Sequence, residues 1–260
     1  MEESTSEPTM FEEALEYDPS EISADEVTYD GHRFKRLMES LNADTWKLTR
    51  KQRKAAEDVL FRNQKVFNLK NEKLPQTHLL QHDIQLTDEN KVIFVKPRWT
   101  PIHQRPPIEA EVKGLLKYSL VEPTTSPHSS PVVLVKKKEK GKWHLAMDYR
   151  VVNKNTVPMY YPIANIEEVV FKVAKSKIHS ALDLRSGFLQ VGLTIRARPI
   201  TAFSCHLGHH AYLCMPFGLV NAPHTMNKLM QMVFGDVSEY VSNFFDDIFI
   251  HSDSVEDLKI

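Results

Sequence analysis

Three aspartates offer the chemistry in this sequence. Asp246 and Asp247 stand side by side between two apolar runs, and Asp183 sits near the end of the apolar run 178–184, before Arg185-Ser186-Gly187-Phe188. Adjacent aspartates in a turn have an ordinary explanation, because the Asp side chain readily bonds its own backbone. A third carboxylate at a strand end adds to this, since neighbouring strands would bring it to the same point as a hairpin tip 63 residues later (246 − 183). Close carboxylates repel unless a cation holds them, and all-oxygen ligands suit Mg²⁺ or Mn²⁺. Two such ions, roughly 3.5–4 Å apart, clamp in-line phosphoryl or nucleotidyl transfer. The carboxylates alone go no further than in-line phosphoryl or nucleotidyl transfer, a chemistry that a nuclease or a phosphatase would share.

Other reactive types are weaker candidates. Lys136, Lys137, Lys138, Lys140 and Lys142 form a charge run around Gly141, the usual composition of a solvated turn. His206, His209 and His210 lie close together, but at the spacing of a turn and without a Cys or acid to complete a zinc site. Cys205 and Cys214 are too few for a disulfide framework and are expected as reduced, half-buried thiols.

The elements that must position the aspartates can be read from pattern. Thr49 with Gln52 makes a capping box for a helix to about residue 68, with Ala56, Val59, Leu60 and Val66 facing inward. A strand is expected at 82–86, and a second helix from Pro106-Pro107 with Ile108, Val112, Leu115 and Leu116 as its stripe. Residues 122–131, with three prolines, cannot be regular. The β-prone run 131–136 and the alternating 143–149 make a hairpin. A short helix (165–173), the strand 178–184 and a hairpin around 207–209 follow. A helix then starts at 221–223 with Met226, Leu229, Met230 and Val233 inward, before two final β-runs, 240–244 and 248–251, meet at Phe245-Asp246-Asp247. Hairpins and helices without a βαβαβ rhythm give an α+β fold with a mostly antiparallel sheet.

The chain has 260 residues, with 33 Lys and Arg against 34 Asp and Glu. That near-neutrality hides a division. Residues 1–30 hold eleven acids and no Lys or Arg, which leaves 33 basic against 23 acidic residues, or +10, on the remainder. An acidic tail on a basic body suggests a polyanion partner for the body. Residues 1–45 read as an acidic, disordered segment, 46–80 as a helical linker, and 81–260 as the catalytic fold. No apolar run reaches the roughly 18 residues of a membrane span and no signal pattern opens the chain, so an intracellular setting without a membrane partner is expected.

Six blocks then occur in one order: PVVLVKKK (131–138) with WHLAMDYRVVNK (143–154), ALDLRSGFLQV (181–191), TAFS (201–204), MPFGLVNAP (215–223) and FFDDIFIHS (244–252). Their order and spacing resemble those of reverse transcriptases, most of all those of gypsy-type LTR retrotransposon Pol polyproteins. The resemblance covers roughly residues 48–260. It implies right-hand polymerase fingers and palm with the thumb absent, and an RNA-directed DNA polymerase using two Mg²⁺ ions, or Mn²⁺, to join a dNTP to a primer 3′-hydroxyl on an RNA or DNA template. By motif position, Asp183, Asp246 and Asp247 would be catalytic and hold the metals, with the Leu184 carbonyl as a further ligand. The dNTP would meet Lys137, His144, Arg185, Ser186, Gly187, Phe188 and Phe217. Within that set the backbone amides of Ser186 and Gly187 would cradle the triphosphate, Phe188 would be the ring that blocks a ribose 2′-hydroxyl, and Phe217 would floor the pocket.

Several positions depart from the family pattern. His144 stands for an arginine, Phe244 for a tyrosine, Ile200 for a lysine and Met226 for an aromatic residue. The chain also stops 13 residues after Asp247 (260 − 247), before the thumb, ribonuclease H and integrase regions that the family places downstream. The resemblance further implies a setting in cytoplasmic virus-like particles or the nucleus. The alternative is an inactive, truncated or domesticated remnant that binds nucleic acid or a partner.

Overall fold

The computed structural model describes residues 31–69, 72–136, 143–163 and 165–253. The chain divides into two units, one ending at Leu74 and the other running from Pro75.

The first unit is small and helical. Helix α1 (Gly31–Ser40) and helix α2 (Arg50–Arg62) are joined by a short 3₁₀ turn. Its anchor is a buried guanidinium: Arg33 donates to both carboxylate oxygens of Glu72 (2.8 and 2.9 Å) and to the carbonyls of Gln64 (2.7 Å) and Phe67 (2.5 Å). Four acceptors offset the cost of burying that charge. Residues 31–45 are therefore ordered here, against the expectation of disorder; apolar periodicity misses a segment held by a polar anchor. Helix α2 opens with the expected capping box, Gln52 N–H to Thr49 Oγ1 at 3.4 Å and Thr49 N–H to Gln52 Oε1 at 3.0 Å. It ends at Arg62 rather than near residue 68, and none of its residues is fully buried. Val59 is 51% and Val66 74% exposed, so the expected inward stripe does not form.

The second unit holds three sheets. Strand β1 (Thr77–His82) is followed by helix α3 (Arg105–Lys117), strand β2 (Val121–Pro123), strands β3 (Ser130–Lys136) and β4 (Trp143–Met147), and helices α4 (Arg150–Lys154) and α5 (Ile166–Lys175). Then come strands β5 (Ile178–Asp183), β6 (Val191–Leu193), β7 (Phe203–Cys205) and β8 (Gly208–Tyr212), helix α6 (Ala222–Phe234), and strands β9 (Val241–Phe244) and β10 (Asp247–Ser252). The sheets are β1-β6, β5-β10-β9 and β2-β8-β7-β3-β4. Among the strands of the described residues, β1 with β6 and β3 with β7 are parallel and the other pairings antiparallel, which agrees with the expected α+β class.

Local chemistry explains most of these elements. Helix α3 takes Pro106 and Pro107 in its first turn, where a missing N–H costs nothing, and buries Ile108, Val112 and Leu115. The β3–β4 hairpin pairs Val132 with Met147 through Lys136 with Trp143. At its base Arg98 and Arg150 both bind Asp148, and the Arg150 bond holds that carboxyl down at about 2. The strand expected at 82–86 lies instead at 77–82. His82, Ile84 and Leu86 are buried in alternation as the pattern predicts, but beyond His82 the backbone meets the loop 155–157, through Thr87 N–H to Asn155 O and Val157 N–H to Gln85 O, rather than the β1–β6 ladder. In α6 Met226, Leu229 and Met230 are buried while Val233 faces out, contrary to the expected stripe. No helix among the described residues is long and apolar enough to cross a membrane.

Candidate active site

Asp183 and Asp247 are paired at one end of the β5-β10-β9 sheet, with Asp246 next to them in the adjoining turn. Asp183 is the last residue of β5 and Asp247 the first of β10, and the register pairs them directly. Directly paired residues place their side chains on one face, with Cα atoms about 4.5–5.5 Å apart. Asp246 precedes Asp247 in the tight turn from β9, whose ladder closes at Asp247 with Phe244. That turn uses Phe245 at φ 52°. Such a backbone costs a non-glycine residue about 1–2 kcal/mol. Two contacts hold it: the Phe244 and Phe245 rings at 4.5 Å, and Leu184 N–H to Asp246 O at 3.1 Å.

The loop after β5 fits under this turn. Ser186 adopts φ 48°, Gly187 N–H donates to Leu184 O (3.1 Å), and Leu189 N–H donates to Ser186 O (2.9 Å). Gln190 secures the loop from outside, its Nε2 donating to Arg185 O at 2.9 Å. A β-carbon on Gly187 would lie 3.0 Å from Asp246 Cβ and 3.2 Å from Leu184 Cβ. Glycine is therefore required by close approach, and the approach brings the Asp246 turn against the Asp183 loop. The Gly187 amide is already engaged by Leu184, so of the two amides expected to cradle a triphosphate this one has its hydrogen bond within the loop.

Phe188 is buried beside Phe217, ring centroids 5.0 Å apart. The small-residue turn carrying Phe217 is held by two asparagines to which sequence reading assigned no role. Asn153 donates to Gly218 O (2.8 Å) and accepts from Val220 N–H (2.9 Å); Asn221 accepts from Met159 N–H (2.9 Å) and donates to Val157 O (2.8 Å). The only signal available was an Asn beside each small-residue stretch. Gly218 at φ 92° supplies the turn that packs near Tyr149. Tyr149 is itself buried, with its hydroxyl on Thr201 O at 2.9 Å.

Electrostatics favour a cation at the tip. Burial raises the Asp247 carboxyl above its ordinary value, the direction expected where the charged form lacks compensation. Among the described residues no three His, Cys, Asp or Glu side chains converge as a ready protein cage. Paired carboxylates at an open tip still suit Mg²⁺, which binds through one or two carboxylates plus substrate phosphates and water rather than in an all-protein cage.

The remaining expected positions separate. Lys137 lies outside the described residues, as does the rest of the charged turn 137–142. His144 sits in β4 opposite Val135, and its side chain is outside the described set. Of the three histidines near the β7–β8 turn, His209 pairs with Ser204 Oγ at 2.7 Å and with Ser126 O at 3.0 Å, and His210 stacks on Phe203. Both cysteines are free thiols, and burial pushes Cys214 up to about 12.

Comparison with known proteins follows the same lines. The family described as reverse transcriptase (RNA-dependent DNA polymerase) matches residues 135–260. The chain is 35% identical over 182 residues to the enzymatic polyprotein of Cauliflower mosaic virus (strain Strasbourg), covering 68% of this chain and 27% of that protein. It is 32% identical over 211 residues to the Pol polyprotein from transposon 412 of Drosophila melanogaster, covering 79% of this chain and 17% of the relative. The chain thus spans about a quarter or less of the relatives it matches. The foamy viral protease-reverse transcriptase in complex with RNA/DNA hybrid superimposes with TM-score 0.76 at 19% identity, over 91% of this chain and 31% of that one, which supports the fingers-and-palm fold. With Asp183 paired to Asp247, the Gly187 loop against Asp246 and Phe188 beside Phe217, residues 135–260 of this chain carry a reverse transcriptase domain related to those of retroviral and retrotransposon Pol polyproteins.

Proposed function

We propose that this domain is an RNA-directed DNA polymerase that adds dNTPs to a primer 3′-hydroxyl paired with an RNA or DNA template. The observation that carries the reading is the direct register of Asp247 with Asp183, with Asp246 packed onto the Gly187 loop. Asp183 and Asp246, joined by Asp247 and the Leu184 carbonyl, would hold two Mg²⁺ ions, with Mn²⁺ as a substitute. When bound, the ions supply charge for the attacking and leaving oxygens of in-line transfer. The chain's own residues do the positioning. The strained Phe245 turn and the Leu184–Asp246 hydrogen bond fix the carboxylates before substrate arrives, so that little reorganisation is needed during reaction. Phe188, locked against Phe217, presents a ring that excludes a 2′-hydroxyl. Arg185, Ser186 and Gly187 shape the triphosphate side of the pocket, with Lys137 and His144 reaching it from the fingers hairpin.

The motif blocks and the Drosophila transposon relative further support a gypsy-type LTR retrotransposon origin. The domain would then work beside thumb, ribonuclease H and integrase regions of a Pol polyprotein, in a cytoplasmic virus-like particle or the nucleus. The test is extension of a DNA primer on an RNA template with dNTPs and Mg²⁺. Divalent-dependent extension that Asp246→Asn abolishes is expected. No extension, or extension indifferent to the cation or to that change, contradicts the reading.

A further inference from the structure

The helical unit carries a charge that polymerase chemistry does not use. Residues 31–74 hold twelve Lys and Arg against five Asp and Glu, or +7, whereas residues 75–260 hold 21 against 18, or +3. Much of that charge lies at the start of α2. Arg50, Lys51 and Lys54 are all exposed there, and the first turn contains no acid. A helix N-terminus is already its positive end, so cations at that point are disfavoured unless an anion covers them. Of the acids nearby, Glu57 and Asp44 are committed to Arg53 and Glu72 to Arg33 and Arg36, while Asp58 follows Lys54 by one turn. Phe61, half exposed, falls within about 40° of Arg50 and Lys54 around the helix at 100° per residue.

We propose that this basic and partly apolar surface of α2 docks the acidic residues 1–30 of the same chain. Charge complementarity is the first ground: eleven acids and no Lys or Arg stand in those 30 residues, directly before α1. The second ground distinguishes this occupant from nucleic acid. A phosphate backbone would match the charge but leave the exposed half of Phe61 bare, while residues 1–30 interleave their acids with Met10, Phe11, Leu15, Tyr17, Ile22, Val27 and Tyr29. Tethering then raises the local concentration of the segment to the millimolar range, so a modest intrinsic affinity suffices.

The test is zero-length carbodiimide coupling of the full 260-residue chain, read by mass spectrometry. Amide links from carboxylates of residues 2–18 to Lys51 and Lys54 are expected at low salt. They should fall several-fold in 0.5 M NaCl, where charges are screened within a few ångströms. They should also fall at Lys51 in an Arg50→Glu/Lys54→Glu variant. Both substituted positions are exposed, and acids suit a helix N-terminus, so α2 persists; far-UV circular dichroism checks this. No links, links spread equally over the lysines of residues 75–260, or links indifferent to salt and to the double change overturn the proposal. Absence of links together with loss of oligonucleotide affinity in the variant would make the face a nucleic-acid contact instead, and the proposal would fall.

Discussion

At the scale of single residues, the site depends on how closely two loops approach. Gly187 has no room for a methyl group, because the new carbon would sit 3.0 Å from Asp246 Cβ, within the turn that aims the carboxylates. Gly187→Ala should displace that turn by a few tenths of an ångström or more. Misplacement on the order of 1 Å costs about 100-fold in rate, so primer extension should fall by roughly 10- to 100-fold while the circular dichroism spectrum stays unchanged. A variant with full activity would show that the two loops need not touch. Phe188 makes a different prediction. Its ring is fixed by Phe217, so Phe188→Val should admit ribonucleotides while dNTP use declines little; the ratio of dNTP to rNTP incorporation should drop by about 10- to 200-fold, the range a steric pocket difference supplies. An unchanged ratio would remove Phe188 from the discrimination.

Elements bring these residues together, and one junction between them responds to pH. His82 at the end of β1 is buried, with Nδ1 on Thr225 Oγ1 of α6 at 2.7 Å and, among the described residues, no partner for Nε2. Burial lowers its pKa from 6.5 to about 4, with Asp83 opposing the shift. Between those values the unfolded chain holds the proton and the folded chain does not, so stability rises as pH climbs from about 4 to 6.5 and this contribution is then constant. The span corresponds to about 3 kcal/mol. Thermal unfolding should therefore show a steeper gain across that window in the wild type than in His82→Gln; parallel curves would remove His82 as the cause. The elements also show what sequence reveals and what it hides. The hairpins, α3, the capping box of α2 and the pairing of the strand end at Asp183 with the hairpin that carries Asp247 were legible, because alternation, capping and turn chemistry are local signals. The ladder position of β1, the exposure of Val59, Val66 and Val233, and the order within residues 31–45 were not. The position of β1 was decided by β6 and the loop 155–157, and the order of 31–45 by the ion pair of Arg33 with Glu72, all distant in sequence; the three exposed valines simply find no element packed over them among the described residues. At the site, the aspartates were readable by pattern, whereas Asn153 and Asn221 act through backbone groups 62 to 67 residues away.

For the whole molecule, charge distribution sets the behaviour toward nucleic acid. The body carries +10 without residues 1–30, and phosphate neutralisation should dominate affinity for primer–template. The logarithm of that affinity should fall linearly with the logarithm of salt concentration, with a slope of about 0.9 for each phosphate contacted on duplex DNA. Flat salt dependence would deny the basic body its role. The central claim is narrower: Asp183 and the Asp246–Asp247 turn form one cation site. The most direct measurement is Mn²⁺ uptake by the full chain bound to primer–template and dNTP, followed by electron paramagnetic resonance. Two Mn²⁺ per chain are predicted, with uptake weakened at least about tenfold by Asp183→Asn and by Asp246→Asn. Mn²⁺ uptake unchanged by Asp183→Asn would contradict the account.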